Sequence, residues 1–216
     1  MRSSMISMLA IGVLLAGLPL SGAKKKAKKA ADFDYYLLAL SWAPDFCATA
    51  GSNGNAAECG AGRKVAFVVH GLWPQGSGSR GPQNCGGSPV SSAIVQTMLS
   101  YIPTASLIQH EWTTHGTCSG LSAADYFAAV RKARDSVTIP AEFKAPAQAM
   151  KLSPKAIEDT FAAANPAFPK TAFRTSCTSG MLQEARICFG KDLSPRACTA
   201  SAGECPASSM QVLPVK

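Results

Sequence analysis

The sequence predicts a single α+β domain in which helices pack on an antiparallel sheet and disulfides stabilise the fold. Strand-like segments lie near both ends of the chain and helix signals cluster between them, which is typical of this class. Of the 216 residues, 47% are hydrophobic and 16% are charged, enough apolar surface for one core. The eight cysteines indicate an oxidising compartment.

Four short segments have the composition of strands. Residues 33–41 are rich in aromatic and aliphatic side chains, and residues 65–69 are rich in β-branched ones. Residues 181–189 and 196–199 predict the two arms of a hairpin. Residues 48–62 are mainly Gly, Asn and Ala, so we expect a loop between the first two strands.

Three helices are predicted in the middle of the chain. A serine followed by a proline begins the segments 88–101 and 153–165, and this pair favours a helix start. Ser122 begins a third helix, in which aromatic and aliphatic residues share one face.

The first residues have the features of a secretory signal peptide. Residues 1–23 contain Arg2, an apolar segment of about fifteen residues and a small-residue end. This segment is short for a bilayer span, although an uncleaved anchor is the alternative. We expect cleavage and export to the periplasm or the medium, which leaves a Lys-rich tail at 24–32 and the domain at 33–216.

The net charge of +8 comes mainly from the tail. Six of the 21 basic residues precede Ala31, so the remainder carries 15 basic and 13 acidic side chains. The charge of the domain alone therefore does not indicate nucleic-acid binding. The tail either is solvated or holds the protein near polyanions in a salt-dependent way.

The cysteines are expected to form four disulfides. Eight cysteines allow 105 pairings, and the sequence alone does not choose among them. Local spacing favours Cys47–Cys59 and Cys188–Cys198, and we expect the other pairs to be Cys85–Cys118 and Cys177–Cys205. Zinc binding is the competing use of cysteine, but the sequence contains no Cys-x-x-Cys pair.

All three histidines lie in two short segments, which favours catalysis over three separate structural roles. Imidazole gives and takes protons near neutral pH. His110 and His115 are five residues apart, so a regular helix would not direct both at one metal ion. Glu111 and His115 are four apart and would share a helix face.

The two segments resemble the paired motifs of the ribonuclease T2 family, secreted endoribonucleases with an α+β fold. His-Gly-Leu-Trp-Pro begins at His70, and His-Glu-Trp-Thr-Thr-His-Gly-Thr-Cys begins at His110. Residues 33–47 and 186–188 are similar to the family's opening and late strands. The resemblance implies cleavage of single-stranded RNA through a 2′,3′-cyclic phosphate to a 3′-phosphate, without a cofactor or metal.

The resemblance also implies a role for each residue of the motifs. His70 would be the general acid and His115 the general base. His110 would bind the scissile phosphate and Glu111 would help to stabilise the phosphorane. Trp73 would stack on a base.

Two further positions concern the substrate. Thr114 stands where the family usually has a lysine, so one cation is lost unless Lys64 or Arg63 approaches the site. Gln75 follows the first motif and could contact a base edge. Trp112 is expected to pack in the core.

Two other functions are compatible with the sequence. One is a zinc-dependent hydrolase that uses the three histidines and a carboxylate. The other is a non-catalytic secreted binder on a ribonuclease-like scaffold, suggested by Thr114 and the tail. The preferred interpretation is a monomeric endoribonuclease with RNA as its partner and no obligate protein partner.

Overall fold

A six-stranded sheet forms the centre of the computed structural model, which describes residues 31–50, 55–78 and 80–216. The strands are β1 Tyr35–Trp42, β2 Phe67–Gln75, β3 Met150–Leu152, β4 Phe173–Thr178, β5 Met181–Phe189 and β6 Met210–Val212. The order β2-β1-β5-β6-β3 places β5 in the middle, and β4 also pairs with β5. The pairs are antiparallel except β5 with β6.

Six α-helices and four short 3₁₀ helices accompany this sheet in the described residues. The α-helices are α1 Ala43–Ala50, α2 Ala56–Cys59, α3 Ser92–Met98, α4 Ala105–Thr114, α5 Ala123–Asp135 and α6 Pro154–Ala164. The 3₁₀ helices are Gly116–Cys118, Ala141–Phe143, Lys170–Ala172 and Ala200–Ala202. The predicted α+β class is confirmed.

The main core lies between the sheet and helices α4, α5 and α6. Trp42 and Phe127 are buried there, as is Trp112, which confirms its predicted core position. Tyr126 of α5 donates its hydroxyl hydrogen to the carbonyl of Leu72 at 2.9 Å, and this bond fixes the helix against β2.

Two of the predicted helix starts are confirmed. The Ser122 hydroxyl accepts from the N–H of Asp125 at 3.1 Å and caps α5. The Ser153 hydroxyl caps α6 in the same way, and Pro154 is the first residue of that helix. Serine oxygen satisfies an N–H that has no partner inside the helix.

The third predicted helix start was wrong. Helix α3 begins at Ser92 and ends at Met98, with Ser91 as its cap, so the serine and proline at 88 and 89 lie outside it. The carbonyl of Ser88 instead accepts from the Trp112 indole at 2.9 Å. This tertiary bond competes with the local start signal.

The predicted hairpin was also wrong in one arm. Strand β5 pairs with β4 across the turn at Ser179 and Gly180, both with positive φ. Residues 196–199 contain no strand, although a disulfide joins Cys188 to Cys198. The predicted loop 48–62 was wrong in part, because the end of α1 and all of α2 lie within it. Residues 51–54 of this loop lie outside the described residues.

The structure contains the four disulfides named from the sequence: Cys47–Cys59, Cys85–Cys118, Cys177–Cys205 and Cys188–Cys198. Such links typically add about 2–4 kcal/mol each to the free energy of unfolding. One disulfide joins α1 to α2, two join loops to β4 and β5, and one joins a loop to the segment that follows α4.

The expected signal peptide 1–23 and most of the tail 24–32 lie outside the described residues. The N–H of Ala31 donates to the carbonyl of Cys118 at 3.1 Å, so contacts with the domain begin two residues before the expected boundary. Within the described ranges, every helix is too short or too polar to cross a bilayer.

Candidate active site

His70 lies inside strand β2, at a bulge. Strand β2 is longer than the predicted 65–69, because the His-Gly-Leu-Trp-Pro segment pairs with β1. Ala39 pairs with Gly71 and Leu40 with Val69, so His70 has no partner residue in the ladder. A bulge reorients the extra residue, and bulges are frequent beside active sites. The His70 side chain is 33% exposed.

The Nδ1 atom of His70 contacts a carboxylate on the neighbouring part of the sheet. Oε1 of Glu184, in β5, lies 2.6 Å from Nδ1. Glu184 is buried, and its Oε2 accepts from Arg186 Nε at 2.8 Å and from the Ser176 hydroxyl at 3.2 Å. Sequence reasoning missed Glu184. The available signal was a carboxylate and an arginine two residues apart in the predicted strand 181–189. Such residues share one face of a strand, and a buried charge requires a partner.

Helix α4 carries the second motif, and its caps and core contacts fix the direction of the motif side chains. The Thr104 hydroxyl accepts from the N–H of Leu107 at 3.1 Å and caps the helix. Ile108 and Trp112 are buried on its inner side, whereas His110 is exposed. The disulfide of buried Cys118 holds the segment that follows the helix.

The Glu111 carboxylate reaches from α4 to the first motif. Its Oε2 accepts from the Trp73 indole at 2.7 Å, and its Oε1 lies 3.7 Å from Nε2 of His70. Oε1 has no hydrogen-bond partner among the described residues. A Cβ atom at Gly71 would overlap both the Glu111 carboxylate and the Trp73 indole nitrogen. Glycine therefore permits this close approach.

His115 is the residue that ends helix α4. The helix stops at Thr114, and His115 has φ −116° and ψ −52°. The sequence predicted that Glu111 and His115 share one helix face; instead the Glu111 carboxylate contacts Trp73 and His70. The His115 ring is buried and lies 5.2 Å from the Trp73 ring.

The two motif segments thus meet around one indole. The His70 ring centre is 5.1 Å from the Trp73 ring, on which the His115 ring also packs. The His110 ring is 6.5 Å from that of His115. Histidines from distant parts of the chain therefore share one site, with Glu111 bonded to the same indole.

The environment moves the pKa values of the two imidazoles in opposite directions. Burial, together with the nearby charges of His110 and His70, lowers the pKa of His115 from 6.5 to about 4. Burial also lowers the pKa of His70, but the hydrogen bond and charge of Glu184 and the charge of Glu111 outweigh it and give a net rise.

The pKa values of the two carboxylates also differ. Burial raises the pKa of Glu111 to about 7, against the opposing effects of His70 and the Trp73 bond. Burial would raise the pKa of Glu184 too, but His70 and Arg186 together bring it below its ordinary value. Glu184 is therefore ionised near neutral pH, and Glu111 is partly protonated.

The other predicted site residues lie at the edge of this cluster. The Thr114 hydroxyl is 3.5 Å from Nδ1 of His110. The Gln75 side-chain oxygen accepts from the N–H of Gly81 at 3.1 Å and so supports the following loop.

The cation beside the site is different from those suggested by the sequence. Arg63 donates to the carbonyl of Ala57 at 2.9 Å, and Lys64 is exposed. Arg186 instead lies 5.9 Å from the Trp73 ring centre while it binds Glu184.

A cavity of about 390 Å³ adjoins His70 and Glu184. Asp45, Glu58 and Thr104 also line it. One carboxylate oxygen of Asp45 and one of Glu58 have no hydrogen-bond partner among the described residues. In the same ranges, no group of three or more His, Cys, Asp or Glu side chains is arranged to hold a metal ion.

Two ribonucleases are among the solved structures that resemble this fold. The structure of the RNase MC1 mutant Y101A in complex with 5′-UMP has a TM-score of 0.65 and 25% identity, covering 83% of this chain and 98% of that one. Human RNase T2 has a TM-score of 0.61 at 20% identity, over 85% of this chain and 100% of that one.

A sequence model of the Ribonuclease T2 family matches residues 33–198, so the chain belongs to the Ribonuclease T2 family. A ribonuclease of Aeromonas hydrophila is 41% identical over 117 residues, 54% of this chain and 51% of that protein. A probable ribonuclease of Haemophilus influenzae is 34% identical over 123 residues, 51% of this chain and 45% of that protein. The matches thus span about half of these relatives' length.

Proposed function

We propose that the protein is an exported endoribonuclease that cleaves single-stranded RNA by transphosphorylation with a histidine acid/base pair. The observation that carries this proposal is the opposite displacement of two imidazole pKa values around one indole. Paired titratable groups whose environments separate their pKa values identify an acid and a base. Family membership and the nucleotide in the RNase MC1 complex support the substrate class.

In the first step His115 acts as the base. Its lowered pKa keeps the ring neutral near pH 7, so it can accept the proton of the ribose 2′-hydroxyl. The 2′-oxygen attacks the adjacent phosphorus. His70, whose pKa is raised, donates its Nε2 proton to the departing 5′-oxygen. The products are a 2′,3′-cyclic phosphate and a free 5′-hydroxyl.

In the second step the histidines exchange roles. Neutral His70 accepts a proton from water, and the resulting hydroxide opens the cyclic phosphate. Protonated His115 returns its proton to the 2′-oxygen, which leaves a 3′-phosphate. Both histidines are then in their starting states. The nucleophiles are the substrate's own hydroxyl and water, so the reaction requires no metal to generate them.

Glu111 and His110 act on the phosphate. A pKa of about 7 allows the Glu111 carboxyl to be protonated and to donate from Oε1, the oxygen without a partner, to a phosphorane oxygen. His110 is exposed on the same helix and contributes binding to the scissile phosphate. Donors that meet developing charge in this way are a main source of rate enhancement.

Trp73 and Gln75 would contact the bases. The Trp73 indole N–H is held by Glu111, so the ring has a fixed orientation for stacking. The Gln75 oxygen is bound to Gly81, which leaves its amide nitrogen for a base edge. The leaving nucleoside would lie on the His70 side, where the cavity opens.

Export and a monomeric state complete the proposal. The four disulfides require an oxidising compartment, which agrees with delivery by the expected signal peptide. A monomer suffices because one chain supplies both histidines and both carboxylates of the site.

The test is a product analysis of the four RNA homopolymers in the presence of EDTA. We expect shortened chains ending in 2′,3′-cyclic phosphate, then 3′-phosphate, and no cleavage of the matching DNA. His70→Ala and His115→Ala would each remove most activity while the protein remains folded. Intact RNA with bound protein would indicate the binder, and activity lost with EDTA would indicate the zinc hydrolase.

A further inference from the structure

The carboxylate of Glu184 contacts His70, and the proposed reaction does not by itself explain this contact. Glu184 is 1% exposed and lies in β5, outside both motif segments. Its Oε1 is 2.6 Å from His70 Nδ1, on the side of the ring away from Nε2. The proposed reaction uses only Nε2, so the Nδ1 contact is free to serve another purpose.

We propose that Glu184 is the positioning residue of the general acid: it accepts from Nδ1–H of His70, fixes the ring, and keeps the transferable proton on Nε2. This inference rests on the proposed function, in which His70 protonates the leaving oxygen. A carboxylate that receives one ring N–H determines which nitrogen remains for proton transfer and stabilises the imidazolium.

Arg186 fixes the carboxylate in turn. Its Nε and one terminal nitrogen each lie 2.8 Å from Glu184 Oε2, and its other terminal nitrogen donates to the carbonyl of Ala202 at 2.8 Å. Ser176 donates to the same Oε2. Because this oxygen already has these donors, Oε1 is left for the imidazole. Arg186 therefore holds Glu184, Glu184 holds His70, and His70 faces the substrate.

The other charged groups around His70 do not replace this contact. From α4, Glu111 approaches Nε2 at 3.7 Å, and His115 lies across the Trp73 ring. From α2, Glu58 lines the adjoining cavity, and the charge of His70 opposes the rise that burial causes in the pKa of Glu58. From β5, Arg186 opposes protonation of His70. Among the described residues, only Glu184 is hydrogen-bonded to the ring.

The test compares Glu184→Gln with the wild type on two substrates that differ in their leaving group. A dinucleoside phosphate releases a ribose 5′-oxygen, which must be protonated. A uridine 3′-(4-nitrophenyl phosphate) releases nitrophenolate, which leaves without a proton. We expect kcat/KM to fall by about tenfold to hundredfold on the dinucleotide, part of the usual contribution of a general acid, and by less than about threefold on the aryl ester.

Two further measurements separate positioning from a structural role. The alkaline limb of the pH–rate profile, and the NMR titration of His70, are expected to move down by about one pH unit in Glu184→Gln. Glu184→Asp would recover part of the lost rate. Glu158→Gln is the matched control, because that half-buried carboxylate binds Thr175 and not a histidine. Circular dichroism checks that each variant is folded.

Equal losses on both substrates, or an unchanged His70 titration in folded Glu184→Gln, would overturn the inference. The NMR titration requires no turnover and therefore tests the Glu184 contact independently of ribonuclease activity. If the wild type cleaved neither substrate, the proposed function would fail. If the wild type cleaved both and Glu184→Gln did so at the same rates, only the positioning role would fail.

Discussion

The indole nitrogen of Trp73 and Oε2 of Glu111, 2.7 Å apart, join the strand that carries His70 to the helix that carries the second motif. Trp73 belongs to β2 and Glu111 to α4, so this hydrogen bond sets the position of the strand relative to the helix at the site. Oε2 is thereby satisfied, while Oε1 remains directed towards His70.

We expect Trp73→Phe to lower kcat/KM by about tenfold or more, because small misplacements of catalytic groups reduce the rate strongly. It would also lower the free energy of unfolding by about 1–3 kcal/mol, since a buried acceptor loses its donor. Steady-state kinetics and urea unfolding measure the two effects. Trp112→Phe is the control: its indole binds Ser88 in the core, so stability falls while kcat is preserved. Wild-type kinetics in Trp73→Phe would contradict this role.

Gly71→Ala tests the close approach in the same place. The new methyl group would overlap the Glu111 carboxylate and the Trp73 indole nitrogen, so one of them must move. We expect kcat/KM to fall by at least about tenfold, and the unfolding free energy to fall by about 1–3 kcal/mol. Gly78→Ala is the control, because a Cβ there meets no atom within 4 Å. Equal activity of both variants would show that the contact is unimportant for catalysis.

Several features of the fold and of the candidate site could be predicted from the sequence because they are local. The two motifs identify His70, His110 and His115, and serine caps locate α5 and α6 correctly. These features depend on a few neighbouring residues.

Other parts depend on tertiary contacts and could not be predicted in this way. The bulge at His70 requires the register of β1, and the contact between His70 and Glu184 spans 114 residues. The end of α4 before His115 changes the direction of that side chain relative to Glu111. Strand β4 was missed, and with it the partner of β5.

A lysine at position 114 tests the departure from the family motif. Thr114 is half-buried beside His110, so Thr114→Lys would add a cation near the proposed phosphate position. We expect kcat/KM to be retained or to rise by up to about tenfold, with a steeper dependence on salt. Thr113→Lys places the same charge at an exposed position of the same helix and is the control. A large loss of activity in folded Thr114→Lys would show that the phosphate lies elsewhere.

Asp45 provides a stability prediction with a defined sign. Burial raises its pKa from 3.8 to about 6, against the opposing hydrogen bond from the Leu213 N–H. The folded protein therefore binds more protons than the unfolded chain between these values, and stability falls as the pH rises from about 4 to 6. Above that range the buried anion reduces stability by up to about 3 kcal/mol.

We therefore expect Asp45→Asn to increase the free energy of unfolding at pH 7.5 by about 1–3 kcal/mol, and by much less at pH 4.5. Urea unfolding at the two pH values measures the difference. Asp159→Asn is the control, because that carboxylate is exposed and pairs with Lys155. A variant less stable than the wild type at both pH values would show that the Leu213 contact outweighs the burial of charge.

The acid/base assignment is tested most directly by an NMR titration of the histidine rings in the wild-type protein, with each ring assigned by single substitution. We expect His115 to remain neutral until the pH falls to about 4. We expect His70 to stay protonated above pH 6.5, the ordinary pKa of histidine. These two pKa values also predict that kcat/KM is nearly constant over a broad pH range between the pKa of His115 and that of His70. Titration of both rings near 6.5, or of His115 above His70, would contradict the assignment of base and acid.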